Sequence, residues 1–249
     1  MYALALVVVS VATLGQTVFG FGGGLISIPP LSLIVGVQNG VTLALILQLV
    51  SGLLLWPIRH ELTWASVKIV AGGLVVGTAS GLYLLSQANE ASLRLLLAIF
   101  IICYLVKYQF LDDVPLPWLK KPAGGLVMGL VAGVLQGLIG SGGPPVVIYL
   151  REIGRDKSAL RAQLLLLLFL SNCLRLPLSI AAGLFNVVVL RICIAAIPCF
   201  VAAMYVGHKL HARMSEKHYH LAIRIVLVAS AVSLIIRSLQ SIVMNDASS

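Results

Sequence analysis

From Met1 to Ile58 the chain contains no lysine, arginine, aspartate or glutamate. A stretch of that length cannot make a soluble surface, because about a quarter of the residues in soluble domains are charged. It can be accommodated in a bilayer, where each helical crossing takes ~20 apolar residues. The remainder keeps the pattern, for the whole chain is 60% hydrophobic and 10% charged. The sequence therefore predicts an all-α polytopic membrane protein. The apolar runs place helices near Tyr2–Phe19, Val41–Ile58, Trp64–Leu85, Ala91–Leu111, Ala123–Ile139, Ala159–Ala182, Val187–Gly207 and Tyr219–Leu239.

Two short apolar pieces, Leu25–Val35 and Pro144–Leu150, stand beside these runs, each after a glycine cluster. About 12 residues of helix span only ~18 Å. Each piece is therefore expected to finish a broken helix or to re-enter, giving eight crossings and not ten. The first run lacks a basic leading region, so no cleavable signal is expected. The most basic short loops are Arg151–Arg161 and His208–Lys217. The positive-inside rule puts both in the cytoplasm, with both termini outside a bacterial-type inner membrane. The net charge of +9 then orients the chain, and nucleic acid is not an expected partner. Cys103, Cys173, Cys193 and Cys199 fall within apolar runs and are expected to be buried packing thiols.

A shift of 120 residues superposes Gln16 on Gln136, Gly20 on Gly140, Gly22 on Gly142, Gly23 on Gly143, Ser51 on Ser171 and Pro57 on Pro177. A shift of 126 aligns Gly81 with Gly207. The expected organisation is a tandem pair of four-helix repeats, residues 1–114 and 115–249, each carrying a glycine-rich broken or re-entrant helix and together forming one transport domain. An even number of crossings per unit makes the repeats parallel.

Paired helix breaks at matching positions of two repeats point to a transporter's binding site. A helix that stops inside the membrane leaves backbone N–H and C=O groups that lipid cannot satisfy. The N-terminus of the next short helix turns N–H groups and a partial positive charge toward an anion. The clusters Gly20, Gly22, Gly23, Gly24 and Gly140, Ser141, Gly142, Gly143 are accordingly the expected anion cradles. By contrast, Gly125, Gly129, Gly133 and Gly137, like Gly73, Gly77 and Gly81, recur every four residues. That spacing reads as close helix packing.

Gln16 and Gln136 lie one helical turn before the clusters and can face the same cavity. Ser171, Asn172 and Arg175 form one polar stripe, and Arg175 is the single charge between Arg161 and Arg191. Two readings stand open for it. It binds an anion, to which its planar fork is suited, or it snorkels to the membrane surface. Gln48 and Ser51 are the weaker candidates from the first half.

The acidic residues and histidines all lie in expected loops or span edges, which argues against a carboxylate proton relay. Ser141 is the sole candidate nucleophile and has no base beside it, so no enzyme, cofactor or metal is expected. An anion leaving a negative-inside cell gains ~2.3 kcal/mol per charge per 100 mV, enough to drive export without further coupling.

The "FGFGGG" start with a Pro-Pro soon after, and "GLIGSGGPP" opening the second half, resemble the TauE/SafE family of membrane permeases over nearly the whole chain. That resemblance implies export of small anions such as sulfite, sulfoacetate or related sulfonates. An anion-selective channel and a carrier of small carboxylates are the alternatives. "GSGGPP" departs from a second triple glycine, so two equivalent sites are not expected. Glycine-rich faces serve equally within a monomer or between protomers of a homo-oligomer.

Overall fold

The computed structural model describes residues 2–19, 23–52, 64–110, 116–154 and 157–210. Among these residues every regular element is helical. They are α1 (Tyr2–Phe19), α2 (Gly23–Val35), α3 (Val37–Ser51), α4 (Trp64–Gln87), α5 (Glu90–Phe110), α6 (Pro122–Ile139), α7 (Gly143–Glu152), α8 (Lys157–Ala181) and α9 (Val187–Leu210). A short 3-10 turn, Pro117–Lys120, leads into α6. By length and composition, Val67–Gln87, Pro122–Ile139, Ala162–Ala181 and Val187–Gly207 can each cross a membrane. Leu4–Leu14, Ile26–Val35 and Val37–Val50 form shorter apolar helices. The expected helix at Tyr219–Leu239 lies outside the described residues, as do Gly20, Gly22 and the end of the second expected helix.

Side-chain size decides which helices touch most closely. Along α4, Gly73, Gly77 and Gly81 face Gly129, Gly133 and Gly137 of α6, and a Cβ on any of them would strike the other helix's backbone. Gly77, for example, lies 2.8 Å from the Val134 nitrogen and 3.0 Å from the Gly133 Cα, measured from its ideal Cβ position. These glycines are the small-residue seam their spacing predicted. Gly125 departs from it. There the Ile69 side chain and the Tyr149 ring, 2.8 and 2.9 Å from an added Cβ, fill the space between helices. At the other side of the bundle α9 packs on α1, with Gly207 set against Thr17 and Leu14.

The remaining core is aliphatic. Val67, Val70 and Leu74 of α4 meet Ala132, Val146, Leu150 and Leu164, while Ala5 and Val9 of α1 meet Leu31, Leu43, Val189 and Ile192. Cys103 and Cys173 correct the expectation of buried thiols. Both are exposed, and Cys193 and Cys199 are only half-buried.

One residue, Gly36, separates α2 from α3. Its φ of 86° and ψ of 159° fall in a region essentially reserved for glycine. The Glu90 carboxylate accepts the Val37 N–H at 2.8 Å and sits 3.3 Å from where a Gly36 Cβ would be. Gly36→Ala is therefore expected to destabilise the protein by about 1–3 kcal/mol, read as a lower melting temperature. An unchanged melting temperature would refute the strain argument.

On α8, Gln163 is fully buried, and among the described residues neither its amide nitrogen nor its oxygen has a hydrogen-bond partner. An unmade buried hydrogen bond costs about 1–3 kcal/mol. Gln163→Leu is thus expected to raise thermal stability by that order with transport intact. Loss of flux in this variant would instead give Gln163 a role in transport.

Candidate anion site

The second glycine cluster forms a helix break with identifiable parts. Gly140, in the left-handed region at φ 64°, stops α6 and donates its N–H to the Gln136 carbonyl at 3.0 Å, a common glycine-closed helix end. Ser141 and Gly142 bridge the gap, and α7 opens at Gly143 with Pro144 and Pro145 in its first turn. Proline is tolerated there because those N–H groups have no intrahelical acceptor. Everything from Gln136 to Gly143 is buried. Yet a Cβ on Gly143 would meet none of the described residues within 4 Å, so a space they leave unfilled adjoins the start of α7.

The first break is built differently. Gln16 of α1 lies against Gly23, the first residue of α2, and its amide oxygen occupies the position a Gly23 Cβ would take. Pro29 and Pro30 sit in the interior of α2, beyond the first turn where Pro144 and Pro145 are found. The two breaks also touch. A Cβ on Gly24 would collide with the Gly140 carbonyl oxygen and the Gln48 amide nitrogen.

At this junction four polar side chains converge. Gln136 donates from Nε2 to Gln48 Oε1 at 2.8 Å and to Asn172 Oδ1 at 2.9 Å. Its Oε1 accepts the Gly142 N–H at 2.7 Å, which ties α6 to the start of α7. Gln48 donates to the Gly140 carbonyl at 3.0 Å and accepts from Asn172 Nδ2 at 3.0 Å. Asn172 Oδ1 also accepts from the Arg175 guanidinium at 3.3 Å.

Arg175 is the unusual member. It is 0% exposed, and its Nε and second terminal nitrogen have no partner among the described residues. The guanidinium has five N–H donors, so most of its capacity is unmet in a position closed to water. Its bonded terminal nitrogen lies 3.6 Å from the ideal Cβ position of Gly140, which puts the charge beside the break. Complete burial excludes snorkelling in this conformation. No carboxylate is paired with Arg175 among the described residues. A desolvated cation without a counter-charge is costly, and an anion drawn to the spare donors would offset that cost.

Of the residues singled out in the sequence, Gln136, Gly140, Gly142, Asn172 and Arg175 are gathered here. Ser141 and Gly143 lie in the same buried break. Ser171 is drawn elsewhere, its hydroxyl sharing a 2.8 Å hydrogen bond with Thr78 of α4. Gln48, ranked low from sequence, is the hub that joins the two breaks. Neither it nor Thr78 could have been found by the repeat, since the 120-residue shift sets Gln48 opposite Leu168.

The family model described as "Sulfite exporter TauE/SafE" matches residues 4–234. A protein of Cupriavidus necator named "Probable sulfite/organosulfonate exporter TauE" is 26% identical over 204 residues, covering 78% of each chain. No solved structure matches the chain significantly.

Proposed function

This chain belongs to the TauE/SafE sulfite exporter family, and on that premise we propose that it exports small sulfur oxyanions such as sulfite, sulfoacetate or related sulfonates. The observation that carries the proposal is the fully buried Arg175 with unmet N–H groups next to a broken helix. The oxyanion binds the free face of the guanidinium, where paired N–H groups match two oxygens. The N-terminal end of α7 adds a partial positive charge and the Gly143 N–H, since Pro144 and Pro145 carry no N–H and the Gly142 N–H is held by Gln136. Asn172 orients the guanidinium, and Gln136 and Gln48 fix the break. Gln16, Gly23 and Gly24 contribute the first half's side of the junction.

The two-repeat organisation, 1–114 and 115–249, belongs to the same proposal. It is supported by reciprocal packing. The last glycine of α4's seam, Gly81, lies against Val134 of α6, and Gly207 of α9 lies against Leu14 of α1. Leu14 and Val134 are superposed by the 120-residue shift. The Gly24–Gly140 contact then closes the route between repeats, and their separation opens it. With both termini outside an inner membrane, the potential drives anions outward without proton or sodium coupling.

Flux in proteoliposomes under a clamped potential tests this, with sulfite, sulfoacetate, acetate and chloride as substrates. Saturable flux of the sulfur anions that rises with an inside-negative potential is expected. Equal, non-saturating flux of all four would identify a channel, and preference for acetate a carboxylate carrier. Flux indifferent to the potential would exclude the driving force assigned here.

A further inference from the structure

A charge enclosed among apolar helices acts at close to full strength, because water does not screen it. Of the described residues that are buried and polar, Arg175 alone carries a charge, and the others are glutamines, an asparagine, serines and threonines. Its two unpartnered nitrogens are Nε and the second terminal nitrogen. They lie side by side on one edge of the guanidinium, where parallel N–H bonds match two oxygens of a single head group. The terminal nitrogen committed to Asn172 is the other one. The helices packed most closely on α8 are α3, α4, α6 and α7. Of these, α3 and α6 contain no ionisable side chain. On α4, Lys68 and Tyr83 are exposed. On α7, Arg151 is exposed, Tyr149 packs at Gly125, and Glu152 bonds the Leu116 N–H and Lys120. Cys173, on α8 itself, is exposed. Among the described residues, an anion at Arg175 therefore meets one positive charge and otherwise neutral groups.

We propose that the lone buried Arg175 selects the substrate by charge, accepting sulfur oxyanions with a single negative charge, hydrogensulfite or a simple alkanesulfonate, over the doubly charged sulfite and sulfate ions. This selection rests on the export reading above and narrows it. Attraction to one guanidinium doubles when the charge of the anion doubles, whereas the cost of stripping water from the anion quadruples. One charge is neutralised by Arg175, and a second would stay buried without a partner, which neutral amides offset only in part. Sulfoacetate, with a carboxylate beyond its sulfonate, is accordingly carried less well than methanesulfonate. The sulfite dianion takes up a proton near neutral pH, so the form that fits is hydrogensulfite. Any proton that crosses then travels on the anion, and no acidic relay on the protein is required.

The test is equilibrium binding of radiolabelled methanesulfonate to the purified 249-residue chain in lipid nanodiscs, with unlabelled sulfite, kept anaerobic, and sulfate as competitors. Methanesulfonate holds one charge throughout, so it reports any titration of the protein itself. Its affinity is expected to stay constant from mildly acidic to mildly alkaline buffer. Sulfite should compete less well as the pH rises, by about tenfold per pH unit once the dianion predominates, because only the protonated fraction binds. Sulfate should compete at least about tenfold more weakly than methanesulfonate at every pH. These measurements use the unmodified chain and need no variant to fold. Sulfite that competes equally at every pH, or sulfate that matches methanesulfonate, overturns charge selection and leaves Arg175 as an anion site. Failure of methanesulfonate to bind a chain that binds sulfite overturns it too, as does a methanesulfonate affinity that falls with pH in step with sulfite. Unaltered methanesulfonate binding in Arg175→Gln overturns the Arg175 reading and charge selection with it. No binding of any of the three anions overturns the export reading itself.

Discussion

Replacing Arg175 by leucine is expected to abolish anion flux and, at the same time, to raise the protein's melting temperature. Both effects follow from one fact, the complete burial of a guanidinium whose Nε and second terminal nitrogen bond nothing among the described residues. Removing a desolvated charge that contacts an oppositely charged ligand costs about 2–5 kcal/mol or more in binding. Affinity for sulfite should therefore fall by about thirtyfold or more. The unliganded protein, however, bears the cost of an unpaired cation in the membrane, about 2.5–3.5 kcal/mol on insertion scales. Leucine removes that burden and loses a single 3.3 Å hydrogen bond to Asn172. Leucine also stands 120 positions earlier, at Leu55. Arg175→Lys should fall between, keeping the charge without the fork that engages two oxygens. Flux assays and thermal unfolding on the same preparations decide the matter. A leucine variant that transports normally removes Arg175 from the site. One that is inactive and less stable makes Arg175 a structural anchor for Asn172.

What was legible in the sequence was whatever depends on local chemistry. Gly140 had to end a helix because proline follows closely and adjacent glycines fit no helical period, and it does so at φ 64°. The bounds of α1, α4, α6 and α8 lie within about two residues of the expected ones because apolar runs and their polar ends are themselves local. The partners across the bundle were not legible. Gln48 lies mid-helix with nothing around it in sequence to mark a bond to a carbonyl 92 positions away. Ser171 falls on the same face as Arg175 by helical spacing, yet Thr78 on α4 takes its hydroxyl. Helix periodicity gives the direction of a side chain, and only the packing of a second helix settles what it meets. The inequality of the two breaks was partly visible, in "GSGGPP" against "GFGGGL". Its consequence was not, namely that Gln16 fills the space at Gly23 while the space at Gly143 stays open.

Two glycines only five positions apart on α4 should respond to alanine with opposite signs. Gly72 is exposed, and a Cβ there meets only a Leu126 methyl at 3.8 Å. Gly72→Ala should therefore add helix propensity, up to about 1 kcal/mol of stability. Gly77 faces α6, where a Cβ would strike the Leu130 carbonyl oxygen and lie 2.8 Å from the Val134 nitrogen and 3.0 Å from the Gly133 Cα. None of these atoms is the end of a flexible side chain, so the helices themselves must part. Parting them at Gly77 also loosens the facing contacts at Gly73, Gly81, Gly129, Gly133 and Gly137, because one seam holds them all. It also pulls Thr78, the next residue, away from Ser171. Overpacking a core typically costs about 1–3 kcal/mol. Here the rigid neighbours and the shared seam should bring the cost to the upper end of that range or beyond it. Gly77→Ala is thus expected to lower the melting temperature sharply and to remove flux, through Thr78 and Ser171 on the helix that bears Arg175. Thermal unfolding of the two variants side by side is the measurement. Equal shifts of the same sign would mean that α4 and α6 are not in backbone contact, and that some other surface holds α4 in the bundle.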